Sequence, residues 1–94
     1  MNLFSDLRGT VIAALTQMQS EGALPEGLDF ANVAVEPPRD PLHGDMATNA
    51  AMVLAKPAKR KPRDIAEALA EKLRDDARIT QADVAGPGFL NLRL

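Results

Sequence analysis

The last six residues, Phe89-Leu90-Asn91-Leu92-Arg93-Leu94, place a leucine at every second position. Successive side chains of an extended strand point to opposite faces, so Leu90, Leu92 and Leu94 share one face and require an apolar layer over it. A strand of this kind is not stable alone and needs pairing partners and a covering element. In a chain of 94 residues that leaves room for one small domain with one modest core. Phe89, Asn91 and Arg93 are left together on the other face, which admits two readings. An aromatic ring can stack on a base, a primary amide can pair with a base edge, and a guanidinium can meet a phosphate or a ring. Alternatively, Phe89 is a second core residue beneath a helix and Asn91 only solvates the strand.

Apolar residues make up 46% of the chain and charged residues 26%, a globular balance. With three Phe and no Tyr or Trp, the core must be aliphatic. The net charge of −2 creates no general field for a polyanion, so any nucleic-acid contact has to rest on a local patch. The absence of cysteine excludes disulfides and thiolate metal sites and fits a cytoplasmic protein. Asp6, Arg8, Gln17 and Gln19 interrupt the apolar N-terminal stretch, which reads as neither a signal peptide nor a membrane span.

Residues 2–21 carry a helical stripe of Leu3, Leu7, Val11, Ala14, Leu15 and Met18, with Asn2 a candidate N-cap and Gly22 at the C′ position. Gly9 weakens that helix interior by about 1 kcal/mol relative to Ala. A short strand is expected at 32–36, with Val33 and Val35 on one face, ended by Pro37-Pro38, which lack N–H donors. A turn-rich segment from Arg39 to Asp45 leads to a second extended piece, Met46–Asn49, able to pair with the first. An Ala-rich buried helix from Thr48 to Lys56 is stopped by Pro57. A third helix runs from Pro62 to about Asp76, with Ile65, Ala66, Leu69, Ala70 and Leu73 inward and Asp64 at the positive end of the dipole. Strands at 78–85 and 89–94 flank a turn at Gly86-Pro87-Gly88. The expected fold is α+β, in the order α-β(2)-α-α-β(2): a small antiparallel or mixed sheet of three to four strands with helices packed on one face.

Two side-chain groups stand out besides the final strand. Lys56, Lys59, Arg60, Lys61 and Arg63 put five cations within eight positions, either a phosphate-facing edge or a solvated linker. His43, the one histidine, is flanked by Asp40 and Asp45 in a Pro-Gly loop. No fourth ligand has metal-site spacing, so Asp45 is expected to bond backbone N–H groups and His43 to be exposed. No Ser–His–Asp order, phosphate-binding glycine loop or paired carboxylates occur, so the chain is not expected to catalyse a reaction alone.

The run from Val35 to Lys56, including Pro37-Pro38-Arg39-Asp40-Pro41-Leu42-His43-Gly44-Asp45, then Pro62-Arg63-Asp64-Ile65-Ala66, then Gly86-Pro87-Gly88-Phe89-Leu90-Asn91, resembles one family over nearly the whole chain. It is the N-terminal additional domain of arginyl-tRNA synthetases. The resemblance implies a helix-plus-sheet domain appended to a class I aminoacylation core that uses ATP and Mg²⁺, with no cofactor in the domain itself. It implies contact with the D-loop at the outer corner of arginine tRNA, and as partners the tRNA and the catalytic domain of the same chain, not DNA or a membrane. Carried over by position, stacking on a D-loop base falls to Phe89 and reading its edge to Asn91. Lys56, Lys59, Arg60 and Lys61 are candidate phosphate contacts, as is Arg93, and His43-Gly44-Asp45 maps to a structural turn. The catalytic signature, amino-acid pocket and anticodon-binding helices have no counterpart in these residues, so the chain resembles a single domain, residues 1–94, of a longer ligase. Two positions depart from the family pattern. Lys61 stands where Asn often caps the third helix, and Met46 where an aromatic is usual. The alternative function is a protein-interaction or interdomain docking module without direct nucleic-acid contact.

Overall fold

In a computed structural model that describes residues 3–37, 44–86 and 88–94, three helices cover one face of a four-stranded sheet. The elements are α1 (Leu3–Ser20), β1 (Val35–Glu36), β2 (Met46–Thr48), α2 (Ala50–Ala58), α3 (Pro62–Leu73), β3 (Gln81–Ala85) and β4 (Phe89–Arg93). The α+β class is as expected, and every strand pair is antiparallel. The spatial order is β1-β2-β4-β3, so the last strand in sequence lies inside the sheet. The candidate N-cap Asn2, the segment Pro38–His43 and Pro87 lie outside the described residues.

The apolar stripes meet as their periods require. Leu7, Val11, Leu15 and Met18 of α1, Ala50, Ala51 and Leu54 of α2, and Ile65, Ala66, Leu69, Ala70 and Leu73 of α3 are buried. They pack against Val35, Met46, Ala82, Leu90 and Leu92 from one face of the sheet. α1 ends as expected at Gly22, with φ +82° and the paired bonds Gly22 N–H to the Gln19 carbonyl and Ala23 N–H to the Met18 carbonyl.

Several boundaries shift because side chains claim backbone groups. Val33 is buried but precedes β1. Its carbonyl accepts from Arg8 Nε at 2.7 Å, its N–H turns back to the Phe30 carbonyl, and the neighbouring Ala34 N–H donates to Asn49 Oδ1 at 2.9 Å. These bonds leave only two residues for the ladder. Thr48 is the last residue of β2 rather than the first of a helix, and its hydroxyl accepts the Ala50 N–H. Pro57 sits inside α2 instead of stopping it. Near the C-terminus its missing donor costs one bond, and the helix closes just beyond, with Lys59 at φ 56° and the Arg60 N–H bonded to the Ala55 carbonyl. β3 begins at Gln81 because Asp76–Arg78 forms a turn in which Asp76 Oδ1 accepts the Arg78 N–H at 2.8 Å. Leu94, expected in the core, is 37% exposed beyond the end of β4.

Two consequences for stability are measurable. A methyl group on Gly9 meets nothing within 4 Å, so Gly9→Ala should stabilise the chain by about 0.5–1 kcal/mol, raising the thermal midpoint by roughly 2–8 °C. Arg78 donates from both its side chain and its backbone to Asp76, holding that carboxyl below its ordinary value. A lowered folded value means this contribution is complete above the unfolded value of about 3.9 and is lost as pH falls through the folded one. Urea unfolding between pH 2 and 7 should therefore show a shallower acid decline in Asp76→Asn than in the parent chain.

Candidate nucleic-acid interface

The register of β4 decides which side chains share its uncovered face. Leu90 and Leu92 are fully buried under the helices, so Phe89, Asn91 and Arg93 point away from them. Phe89 is 43% exposed, which excludes its being a core residue. Asn91 is half-buried, and among the described residues its amide has no intramolecular partner. A partly desolvated amide with unused donors and acceptor has its hydrogen-bonding capacity available to a ligand. Arg93 is exposed at the far end of the same row.

Neighbouring strands complete this face. Asn91 is paired with Ala47 of β2 on one side and Asp83 of β3 on the other, and Ala47 is in turn paired with Glu36. A row Glu36–Ala47–Asn91–Asp83 thus crosses all four strands. Phe89 lies opposite Ala85, and Arg93 opposite Gln81. The small side chain of Ala85 leaves the ring of Phe89 exposed, and Ala47 sets no polar group beside the Asn91 amide. Gln81 and Asp83 were not singled out from the sequence. The alternation of β3 places them on one face, but only the register shows that this face adjoins Asn91.

The hairpin tip meets the basic segment. A methyl group on Gly88 would lie 2.6 Å from Pro62 Cβ and 3.2 Å from Met52 Cγ. Gly88 is therefore the point where β4 abuts the first turn of α3, directly after Lys61 and directly before Phe89. This contact brings the segment of Lys59, Arg60 and Lys61 to the end of the sheet that carries the aromatic ring. Lys56, Lys59, Arg60 and Lys61 are exposed, and none pairs with a carboxylate among the described residues. Arg63, by contrast, pairs with Glu67 at 3.6 Å along α3. Lys61 occupies the N-cap of α3 with no side-chain capping bond, as its replacement of the usual Asn implies.

The other end of β4 is fixed by the Gly44-Asp45 turn. Gly44 has φ +131°, and a methyl group there would lie 2.7 Å from the Leu92 carbonyl oxygen. Asp45 N–H donates to that carbonyl, and Asp45 Oδ2 accepts the Leu94 N–H, both at 2.8 Å. Asp45 does bond a backbone N–H as expected, but across the sheet rather than within its own turn. His43 and Asp40 lie outside the described residues, within which no group of three or more His, Cys, Asp or Glu could hold a metal ion. No described helix is long and apolar enough to cross a membrane.

The fold defines a small α+β module in which the helices cover one face of the sheet and the other face carries Phe89, Asn91 and Arg93. The chain belongs to the arginyl-tRNA synthetase N-terminal domain family: the family model of the arginyl tRNA synthetase N terminal domain matches residues 5–94. It is similar to the arginine–tRNA ligases of Ruegeria sp. (strain TM1040), 79% identical, Ruegeria pomeroyi, 76%, and Paracoccus denitrificans, 74%. Each comparison covers all of this chain and 16% of the ligase. The chain therefore spans about one sixth of the length of these curated relatives.

The packing at the hairpin tip is testable by itself. Gly88→Ala must displace either the hairpin or the start of α3, and overpacking of this kind costs roughly 1–3 kcal/mol. Its urea midpoint should fall accordingly, whereas Gly86→Ala, where the added methyl meets nothing within 4 Å, should lose only the cost of its positive φ, about 1 kcal/mol.

Proposed function

We propose that this chain is the single N-terminal tRNA-binding domain of an arginine–tRNA ligase and that its open sheet face contacts the D-loop at the outer corner of arginine tRNA. Phe89 stacks on an unpaired base, and Asn91 bonds that base's edge, most naturally at adenine N6 and N7. Lys56, Lys59, Arg60 and Lys61 meet the flanking phosphates, joined by Arg93 at the far end of the strand. The observation that carries this reading is an exposed aromatic ring beside a half-buried amide with no partner of its own among the described residues, on a strand held rigid by pairing on both sides. The similarity of the whole chain to arginine–tRNA ligases supports it.

In this reading the parent enzyme is cytoplasmic. It activates arginine with ATP and Mg²⁺ in its remaining domains, and this domain positions the tRNA. The chain's own contribution is electrostatic and geometric. With a net charge of −2, the domain attracts RNA mainly through the segment around Lys59–Lys61, while Glu36 and Asp83, on the two edge strands, repel phosphates from the sides of the face. The phosphate backbone is thereby steered to the hairpin end, and a base is left over the strand.

In the full-length ligase, Phe89→Ala should lower kcat/KM for tRNA by about 5- to 150-fold, as removal of one base–aromatic stack of about 1–3 kcal/mol requires. Asn91→Ala should lower it as well. Joint replacement of Lys59, Arg60 and Lys61 by Ala should flatten the dependence of log affinity on log salt by roughly 0.7–0.9 for each phosphate that is no longer neutralised. If both strand variants charge tRNA normally, the base-contact reading is wrong. An unchanged salt slope would favour the docking of this face on another protein domain.

A further inference from the structure

Resting on the reading of Phe89 as the stacking platform, we propose that Asp83 is a specificity-determining residue of the same site. It selects a base that carries an exocyclic amino group and rejects one that presents only a carbonyl at that edge. Asp83 is the register partner of Asn91, and both point to the uncovered face. Side chains directly opposite one another in an antiparallel pair lie about 4.5–5.5 Å apart at Cβ, within the span of one base edge. Gln81 Nε2 donates to Asp83 Oδ2 at 2.5 Å, which fixes the carboxylate on the strand. Its other oxygen, Oδ1, has no partner among the described residues, and Asp83 makes no ion pair there. The site thus holds one amide, which can donate and accept, beside one carboxylate oxygen, which accepts.

That donor–acceptor pattern discriminates among bases. With adenine stacked on Phe89, Asn91 accepts one N6 hydrogen and donates to N7, and the second N6 hydrogen is available to Asp83 Oδ1. Cytosine offers the same carboxylate its N4 amino hydrogens. Uracil held in the same pose turns its O4 carbonyl toward the carboxylate and sets two acceptors against each other, and it meets Asp83 only by turning its N3–H there instead, out of the pose that Asn91 holds. Guanine meets the same conflict through O6 and is accommodated only by presenting its N1 and N2 edge instead. Ala47, on the opposite side of Asn91, supplies no polar group to reverse this preference.

The test uses the full-length ligase and a set of arginine tRNA transcripts in which each unpaired D-loop position is varied through A, C, G and U. Charging is compared for the wild type, Asp83→Asn, Asp83→Ala and Phe89→Ala. The wild type should favour A or C over U at one position by about 5- to 150-fold. Asp83→Asn can turn a donor toward a carbonyl, so it should accept U there and bring the preference to within about threefold. Asp83→Ala should weaken the preference to what Asn91 alone supplies without gaining activity on U, and Phe89→Ala should lower charging of all four transcripts. If Asp83→Asn and Asp83→Ala keep the wild-type preference while Phe89→Ala lowers charging throughout, Asp83 does not read the base, although the site stands. If Phe89→Ala has no effect, the stacking site itself is refuted.

Discussion

Everything that positions the open face depends on β4 being paired on both edges. Its residues Leu90 and Leu92 are completely buried, and its backbone is laddered to β2 on one side and β3 on the other. A central strand has no free edge along which to slip. A shift of one residue would expose both leucines and bury Phe89, Asn91 and Arg93 under the helices. The cost of misplacing those leucines is therefore what holds the aromatic ring and the amide outward. Rigidity at Phe89 and Asn91 comes from apolar burial on the reverse side of the same strand.

The two ends of β4 are fixed by different means, and both use a glycine where no side chain fits. At the start of the strand, Gly88 lies against Pro62 and Met52, so the hairpin tip and the first turn of α3 cannot separate without opening a gap. Near its end, Gly44 presses on the Leu92 carbonyl, and Asp45 ties its own N–H and carboxylate to Leu92 and Leu94. The first contact also has an electrostatic consequence. The net charge is −2, yet the Gly88–Pro62 packing sets the Lys59–Lys61 segment at the end of the sheet where Phe89 stands, so cations are concentrated there. Glu36 and Asp83 stand on the two edge strands, at the ends of the row that runs through Asn91, so the acidic groups flank the face and the cations lie at its hairpin end.

Much of the fold was legible because period-two and period-3.6 patterns fall in separate parts of the chain. The α3 stripe from Ile65 to Leu73, the α1 stripe ending at Gly22 and the inward Leu90 and Leu92 were all readable, since burial of an apolar face leaves few other options. Boundaries failed where polar side chains compete for backbone groups. Arg8 and Asn49 satisfy the chain around Val33 and Ala34 and cut β1 short, and the Asp76 carboxylate holds a turn where strand was expected. Those competitions depend on which residues meet in space, 15 and 25 positions apart for Asn49 and Arg8, and local pattern does not encode them.

The sequence by itself determined the α+β class, the leucine face of the last strand and the candidates Phe89 and Asn91, because alternation is a property of the local backbone. It could not decide between a core Phe89 and an exposed one, since that turns on which face of the sheet the three helices cover. Tertiary structure decided it by placing the helices over Leu90 and Leu92 alone. Only tertiary structure, too, set Asp83 beside Asn91 and brought the Lys59–Lys61 segment to the hairpin end, because strand register and helix–strand contact are relations between distant residues. The two physical causes are hydrogen-bonded register in the first case and close packing at a glycine in the second.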